Sequence, residues 1–209
     1  GAGCIAIPCN TSHAFVPWLQ EQIGIPIVNM IQETAGALKD MGAKRVGILG
    51  TDGTLRARLY HDALESRGME ALSPPAEAQR LVMDIIYQEI KKGERGSREK
   101  FAAVSRALRD LGCDRVVLAC TEMSTYKDWH GLGEYYVDAM DVLARRCRKR
   151  KISRILGYYY PTAKNSMVKN FYQEMGFEKL REDDQGNMVW QLSSLEQYQN
   201  KNLYIEVEE

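Results

Sequence analysis

Short apolar runs rich in β-branched residues alternate with helix-length segments from residue 4 to about residue 150, and this alternation limits the folds open to the chain. Runs near 4–8, 45–49, 69–72, 115–119 and 135–138 read as strands, and the segments 31–42, 54–67, 76–92, 98–111 and 139–150 as helices. In the third helical segment Leu81, Ile85, Ile86 and Ile90 recur at helical spacing and form an apolar face. Gly42, Gly68, Gly93 and Gly112 follow helices closely, where a left-handed C-terminal cap is expected. The pattern predicts an α/β fold of βα units on parallel sheet.

Two of the strand runs end in a thiol followed by small polar residues: Ile5-Ala6-Ile7-Pro8-Cys9-Asn10-Thr11 and Val116-Val117-Leu118-Ala119-Cys120-Thr121-Glu122. A strand that stops at cysteine and gives way to a helix start puts sulfur at the open end of a sheet. Backbone N–H groups and the helix dipole there favour a thiolate. Two such thiols facing each other can handle one proton from opposite sides. That suits removal of the α-proton of an amino acid, where the carbanion forms beside a charged carboxylate and needs a base on each face and donors on the carboxylate. A free cysteine titrates near pH 8.5, so a thiolate and a thiol can coexist near neutrality. Asn10, Thr11 and Thr121 directly follow the thiols, where they can grip a carboxylate.

Composition narrows the partners. Lys plus Arg and Asp plus Glu number 28 each, so no net field draws the chain to nucleic acid or an anionic membrane. The partner expected is a small amino-acid substrate, and a homodimer is compatible with the sequence. Five cysteines without CxxC spacing, and no histidine cluster, argue for neither a disulfide framework nor a metal site. Cys4, Cys113 and Cys147 have no motif around them and read as structural. No apolar stretch approaches the roughly 20 residues of a membrane span and no secretory signal is visible, so a cytoplasmic protein is expected. The first strand begins within a few residues of Gly1, which reads as a fragment or processed chain.

The basic run Arg145-Arg146-Cys147-Arg148-Lys149-Arg150-Lys151 reads as the solvated end of a helix followed by a domain junction. Beyond it, Ile152–Tyr159 reads as a strand, Thr162–Met175 as a helix stopped by Gly176, and Phe177–Arg181, Met188–Leu192 and Leu203–Val207 as strands. Asp183-Asp184-Gln185-Gly186-Asn187 is turn chemistry. This tail is a small mixed α/β piece.

Pro8-Cys9-Asn10-Thr11-Ser12-His13, Gly50-Thr51-Asp52-Gly53-Thr54 and Leu118-Ala119-Cys120-Thr121-Glu122 resemble the motifs of the aspartate/glutamate racemase family, cofactor-independent enzymes with two cysteine bases. Ile90-Lys91-Lys92-Gly93 resembles the family's helix end whose lysine reaches the substrate, and the likeness runs to about residue 148. It implies two Rossmann-like parallel-sheet domains with the active site in the cleft between them. Residues 1–30 and 135–148 would form part of one half and 31–134 the other. Cys9 and Cys120 would be the catalytic bases, with Asn10, Thr11, Thr51, Lys91 and Thr121 binding substrate and no cofactor or metal required. Thr51 also reads as a helix cap, Lys91 as a solvated lysine, Glu122 as tuning Cys120 or serving its helix, and His13 as steadying a thiolate or packing. The chain departs from the family in lacking its first strand, glycine-rich loop and a basic segment that reads the side-chain carboxylate, so the first domain is expected to be incomplete and activity weak or absent. Ala119 stands where the family commonly has glycine. Hydantoin racemases, maleate isomerases and arylmalonate decarboxylases share the architecture and stay open as activities, as does a non-catalytic scaffold.

The segment 152–209 has its own likeness. Gly157 to Asn165, Asn170-Phe171-Tyr172 and Met175-Gly176-Phe177 resemble the C-terminal end of the acetyltransferase-like domain of FkbH-type proteins. The pyrophosphate-cradling loop of such enzymes is not found upstream, so a remnant or docking appendage is expected, with Tyr172 packing on Phe171 and Phe177.

Overall fold

The computed structural model describes residues 3–149, 154–163 and 165–193. They fall into two compact units, one ending at Arg146 and the other starting at Cys147.

The first unit is built on parallel strands. β1 (Ile5–Ala6) and β2 (Ile27–Val28) pair as a two-stranded sheet. β3 (Arg45–Leu49), β4 (Glu70–Leu72), β5 (Arg115–Leu118) and β6 (Tyr136–Asp138) form a four-stranded sheet in the order β4-β3-β5-β6, parallel throughout. Leu49 stands opposite Leu118, and Leu118 opposite Asp138, so β3, β5 and β6 end level with one another. The α/β class with parallel sheets is thus as the sequence predicts. The segment from Tyr136 differs: β6 pairs with β5, whereas its expected companion was residues 1–30.

The helices are α1 (Val16–Gln22), α2 (Met30–Asp40), α3 (Asp52–Arg56), α4 (Leu59–Glu65), α5 (Ala76–Asp84), α6 (Arg98–Asp110), α7 (Thr121–His130) and α8 (Ala139–Lys149). Gly42, Gly68, Gly93 and Gly112 all take left-handed conformations at φ 74°, 76°, 88° and 75°. Three expectations need correction. The first strand is only Ile5–Ala6, and β2, a two-residue strand, carries no readable alternation. The single helix expected over 54–67 is two, broken at Arg58, which sits at φ 52° and ion-pairs forward with Asp62 and Glu65 of the second helix. The helix expected over 76–92 is α only to Asp84, continues as a π-turn over Ile85–Glu89 and ends as a 3-10 turn over Ile90–Lys92.

One core cluster lies between the four-stranded sheet and α5, α6 and α7. Leu49, Val116 and Leu118 are fully buried against Ile85, Ile86, Val104 and Leu108, and Phe101 stacks on Tyr126 at 4.4 Å. Each such aliphatic side chain contributes about 1.5–3 kcal/mol by leaving water. Gly47 allows the close approach of α6: a Cβ there would stand 3.0 Å from a Leu108 methyl.

The second unit is an antiparallel sheet of β7 (Ile155–Tyr159), β8 (Glu178–Glu182) and β9 (Met188–Leu192), in the order β7-β9-β8. Asp183 Oδ1 accepts from Gln185 and Asn187 N–H in the turn between β8 and β9. The helix expected over Thr162–Met175 reduces to a 3-10 turn, Ser166–Val168, and one turn, α9 (Phe171–Glu174). Asn165 accounts for part of this, since its side chain accepts from Thr162 N–H and donates to the Tyr160 carbonyl, closing a local turn that competes with helix. Tyr159, Met188 and Trp190 form a small core with Tyr172 and Phe177, and Tyr172 meets Phe171 edge-on. The strand expected at Leu203–Val207 lies outside the described residues. No described helix is long and apolar enough to cross a membrane.

Candidate active site

The C-terminal ends of parallel strands are where α/β sheets gather ligands, because helix N-termini and loops converge there. Here the residues after β1, β3 and β5 meet the π-turn region after α5 around one cavity of about 390 Å³. Its lining includes Cys9, Asn10 and Thr11 from the first loop, Thr51 from the second, Cys120 and Thr121 from the third, and Lys91. All seven residues singled out in the sequence therefore face one space. Cys4, Cys113 and Cys147 do not line it.

The Cys9 loop is pinned from behind. His13, almost fully buried, donates from Nδ1 to the Cys9 carbonyl at 2.8 Å, while its Nε2 accepts from Met30 N–H at 3.0 Å. One nitrogen must donate and the other accept, so the ring is neutral, and burial lowers its pKa. His13 therefore steadies the backbone beside the thiol. Cys9 itself is exposed. Asn10 is 3% exposed; its Oδ1 accepts from the Tyr60 hydroxyl, and its Nδ2 has no hydrogen-bond partner among the described residues.

Thr51 caps α3, accepting from Thr54 N–H at 3.3 Å, so its helix-cap role is present. The Thr54 hydroxyl lies 3.2 Å from that of Thr51 and 2.9 Å from that of Thr11, a chain of hydroxyls linking the first and second loops. Gln79 braces the second loop by donating to the Gly50 carbonyl and to Asp52.

Cys120 is the N-cap residue of α7. Its thiol donates to Glu122 Oε2 at 2.8 Å, the Thr121 hydroxyl donates to the same oxygen at 2.9 Å, and Lys91 Nζ lies 2.5 Å from Glu122 Oε1. Burial pushes the Cys120 thiol up, the neighbouring carboxylate pushes it further, and together they take it to about 12. This reverses the expectation that a helix N-terminus favours thiolate at this position: desolvation and an adjacent anion outweigh the dipole. Burial alone would raise Glu122, but hydrogen bonds from Cys120, Lys91 and Thr121 overcome it and hold the carboxylate at about 2. Near neutrality the cluster is a thiol, a carboxylate and an ammonium. Lys91 is thus engaged with Glu122 rather than standing as a solvated lysine.

Sequence reasoning passed over Arg56, Met83, Tyr87 and Tyr60. Met83, Tyr87 and Lys91 sit four residues apart along the α5–π–3-10 segment and all line the cavity, with Lys91 Nζ 5.5 Å from the Tyr87 ring centre. That spacing was available as a signal but was masked by the stronger apolar face at Leu81, Ile85 and Ile86. Tyr60 left no local sign, because its partner is Asn10 in another loop. Among the described residues no group of three or more His, Cys, Asp or Glu is placed to hold a metal ion.

An uncharacterized protein encoded in the pnlA 3′ region of Pectobacterium carotovorum is 28% identical over 130 residues, covering 61% of this chain and 87% of that protein. A glutamate racemase of Oceanobacillus iheyensis is 30% identical over 129 residues, covering 59% of this chain. The matched part is 45% of that racemase, so the chain spans about half the length of such a relative. The crystal structure of an aspartate racemase homologue from Pyrococcus horikoshii superposes with a TM-score of 0.64 at 26% identity, covering 72% of this chain and 67% of the other. The family model described as Asp/Glu/Hydantoin racemase matches residues 1–147, and the chain belongs to that family.

Proposed function

We propose that this chain carries the two-thiol centre of a cofactor-independent racemase acting on aspartate or glutamate. The observation that supports it most directly is the convergence of Cys9 and Cys120 on one cavity that is also lined by Asn10, whose buried Nδ2 has no hydrogen-bond partner among the described residues. Cys120, protonated and held by Glu122, is the proton donor at rest, which leaves removal of the α-proton to Cys9. Asn10 and the hydroxyls of Thr11 and Thr51 serve the substrate carboxylate as it becomes enediolate-like, joined by Thr121 through its backbone N–H at the start of α7, since its hydroxyl proton goes to Glu122. Arg56 places a cation on the lining that suits a substrate carboxylate, while Lys91 meets the substrate from its ion pair with Glu122. Residues 1–148 are the racemase-like part in this reading, and 152–209 a separate appendage.

The test is deuterium incorporation. In D2O the protein should introduce deuterium at Cα of aspartate or glutamate, and Cys9→Ala and Cys120→Ala should each abolish it. Protein that gives neither exchange nor racemisation with either amino acid overturns the proposal.

A further inference from the structure

We infer that Tyr60 is a positioning residue for substrate binding: its hydroxyl holds the Asn10 side chain so that the NH2 end faces the ligand. The inference rests on the racemase reading above for the identity of that ligand, a carboxylate.

A side-chain amide presents an acceptor at one end and two donors at the other, and the two ends differ little in shape. Something must therefore choose which end meets a ligand. Tyr60, on α4, is fully buried, and its hydroxyl donates to Asn10 Oδ1 at 2.5 Å across 50 residues of sequence. Burial raises the phenol pKa and keeps it a donor, so the amide oxygen is drawn away from the cavity. The consequence lies at the other end of the amide. Asn10 is 3% exposed and lines the cavity with both thiols, yet Nδ2 has no hydrogen-bond partner among the described residues. Buried polar groups are almost always paired, and an unpaired donor carries its full desolvation cost until an acceptor reaches it. A carboxylate oxygen is such an acceptor. Turned over, Asn10 would present an oxygen to an anion and repel it.

The experiment combines binding and exchange. The side-chain NH2 resonances of Asn10 are followed by NMR as L-aspartate or L-glutamate is added, and Cα deuterium exchange is measured on the same protein. Wild-type resonances should shift on saturation. Tyr60→Phe should raise Kd roughly tenfold, the value of one charge-assisted hydrogen bond. Tyr60→4-aminophenylalanine, which restores a donor at the para position, should recover most of that loss. In an Asn10→Ala background, Tyr60→Phe should change Kd less than about twofold, because the group it acts through is gone. Wild-type Asn10 resonances that stay put with ligand bound overturn the inference without any variant. Equal weakening by Tyr60→Phe with and without Asn10, or none at all, also overturns it. Binding with an Asn10 shift but no exchange sinks the racemase reading and leaves the Tyr60 assignment standing. Exchange measured well below the Kd that is indifferent to Tyr60→Phe does the reverse.

Discussion

Glu122 Oε2 accepts the Cys120 thiol proton at 2.8 Å while Lys91 Nζ lies 2.5 Å from the other oxygen of the same carboxylate. Burial and this carboxylate together lift Cys120 to about 12. Glu122→Gln keeps an acceptor but removes the charge, so the thiol should titrate about one unit or more lower, with the share due to burial remaining. Peptide-resolved alkylation of Cys120 as a function of pH measures this, and an unmoved midpoint contradicts it. The sign for stability follows from a raised pKa. The stability gained by holding Cys120 as a thiol is fully present below its ordinary value of 9.0 and is lost as pH rises toward about 12.

Lys91→Ala should act in the opposite direction on the thiol. Its charge opposes the rise at Cys120, so removing it drives that thiol higher and slows alkylation at pH 9. It also frees Glu122 to titrate upward from about 2. A depressed carboxylate stabilises the fold above its ordinary value of 4.5, and that stability is lost as pH falls toward about 2. Wild type should therefore exceed Lys91→Ala at pH 7 and the gap should narrow at pH 2.5. Lys91 is 45% exposed, so solvent screening limits the gap to below about 1 kcal/mol. Urea unfolding at the two pH values checks it.

The features written locally in the chain were legible. β3 occupies Arg45–Leu49 because Val46, Ile48 and Leu49 make a short apolar run between Gly42 and Gly50, and the thiol loops are visible because each strand run stops at a cysteine followed by small polar residues. What could not be read depends on partners distant in sequence or on choices between similar helices. Nothing in Leu55-Arg56-Ala57-Arg58-Leu59 announces a break, since every residue there suits a helix; the left-handed Arg58 is held by Asp62 and Glu65. The π-turn at Ile85–Glu89 is similarly silent, yet it precedes Lys91 on the cavity wall. The helix start at Cys120 favours thiolate, and the opposing effect comes from burial that only the fold supplies.

His13 links the Cys9 carbonyl to Met30 N–H and must be neutral to do so. Burial lowers its pKa below the ordinary 6.5, so its contribution to stability is fully present above about 6.5 and is lost as pH falls. His13→Phe, which loses both hydrogen bonds, should cost about 1–3 kcal/mol at pH 7.5. The difference from wild type should shrink at pH 5.5, a comparison that cancels the contribution of His61, whose pKa burial also lowers. Urea midpoints at both pH values decide it. A gap that widens on acidification contradicts a neutral bridging His13.

Gly50 and Ala119 meet back to back just before the two loops that carry Thr51 and Cys120. A Cβ on Gly50 would stand 3.1 Å from the Ala119 carbonyl oxygen and 3.2 Å from the Ala119 methyl. Neither neighbour is free to yield: Ala119 is fully buried and its N–H donates to the Leu49 carbonyl at 2.7 Å, while Gln79 holds the Gly50 carbonyl at 3.1 Å. Gly50→Ala should therefore destabilise by about 1–3 kcal/mol through overpacking. Adding Ala119→Gly removes the methyl contact but not the carbonyl contact, so the double variant should recover only part of the loss. Forcing this contact should shift the two loops together, so the proposed Cα exchange should fall by about tenfold or more, because displacement of reacting groups by a fraction of an ångström is costly to catalysis. Thermal unfolding of the single and double variants, read beside their exchange rates, separates the two effects. Stability of Gly50→Ala within about 0.5 kcal/mol of wild type would show that the carbonyl contact relaxes freely, and the predicted loss of exchange would lose its cause.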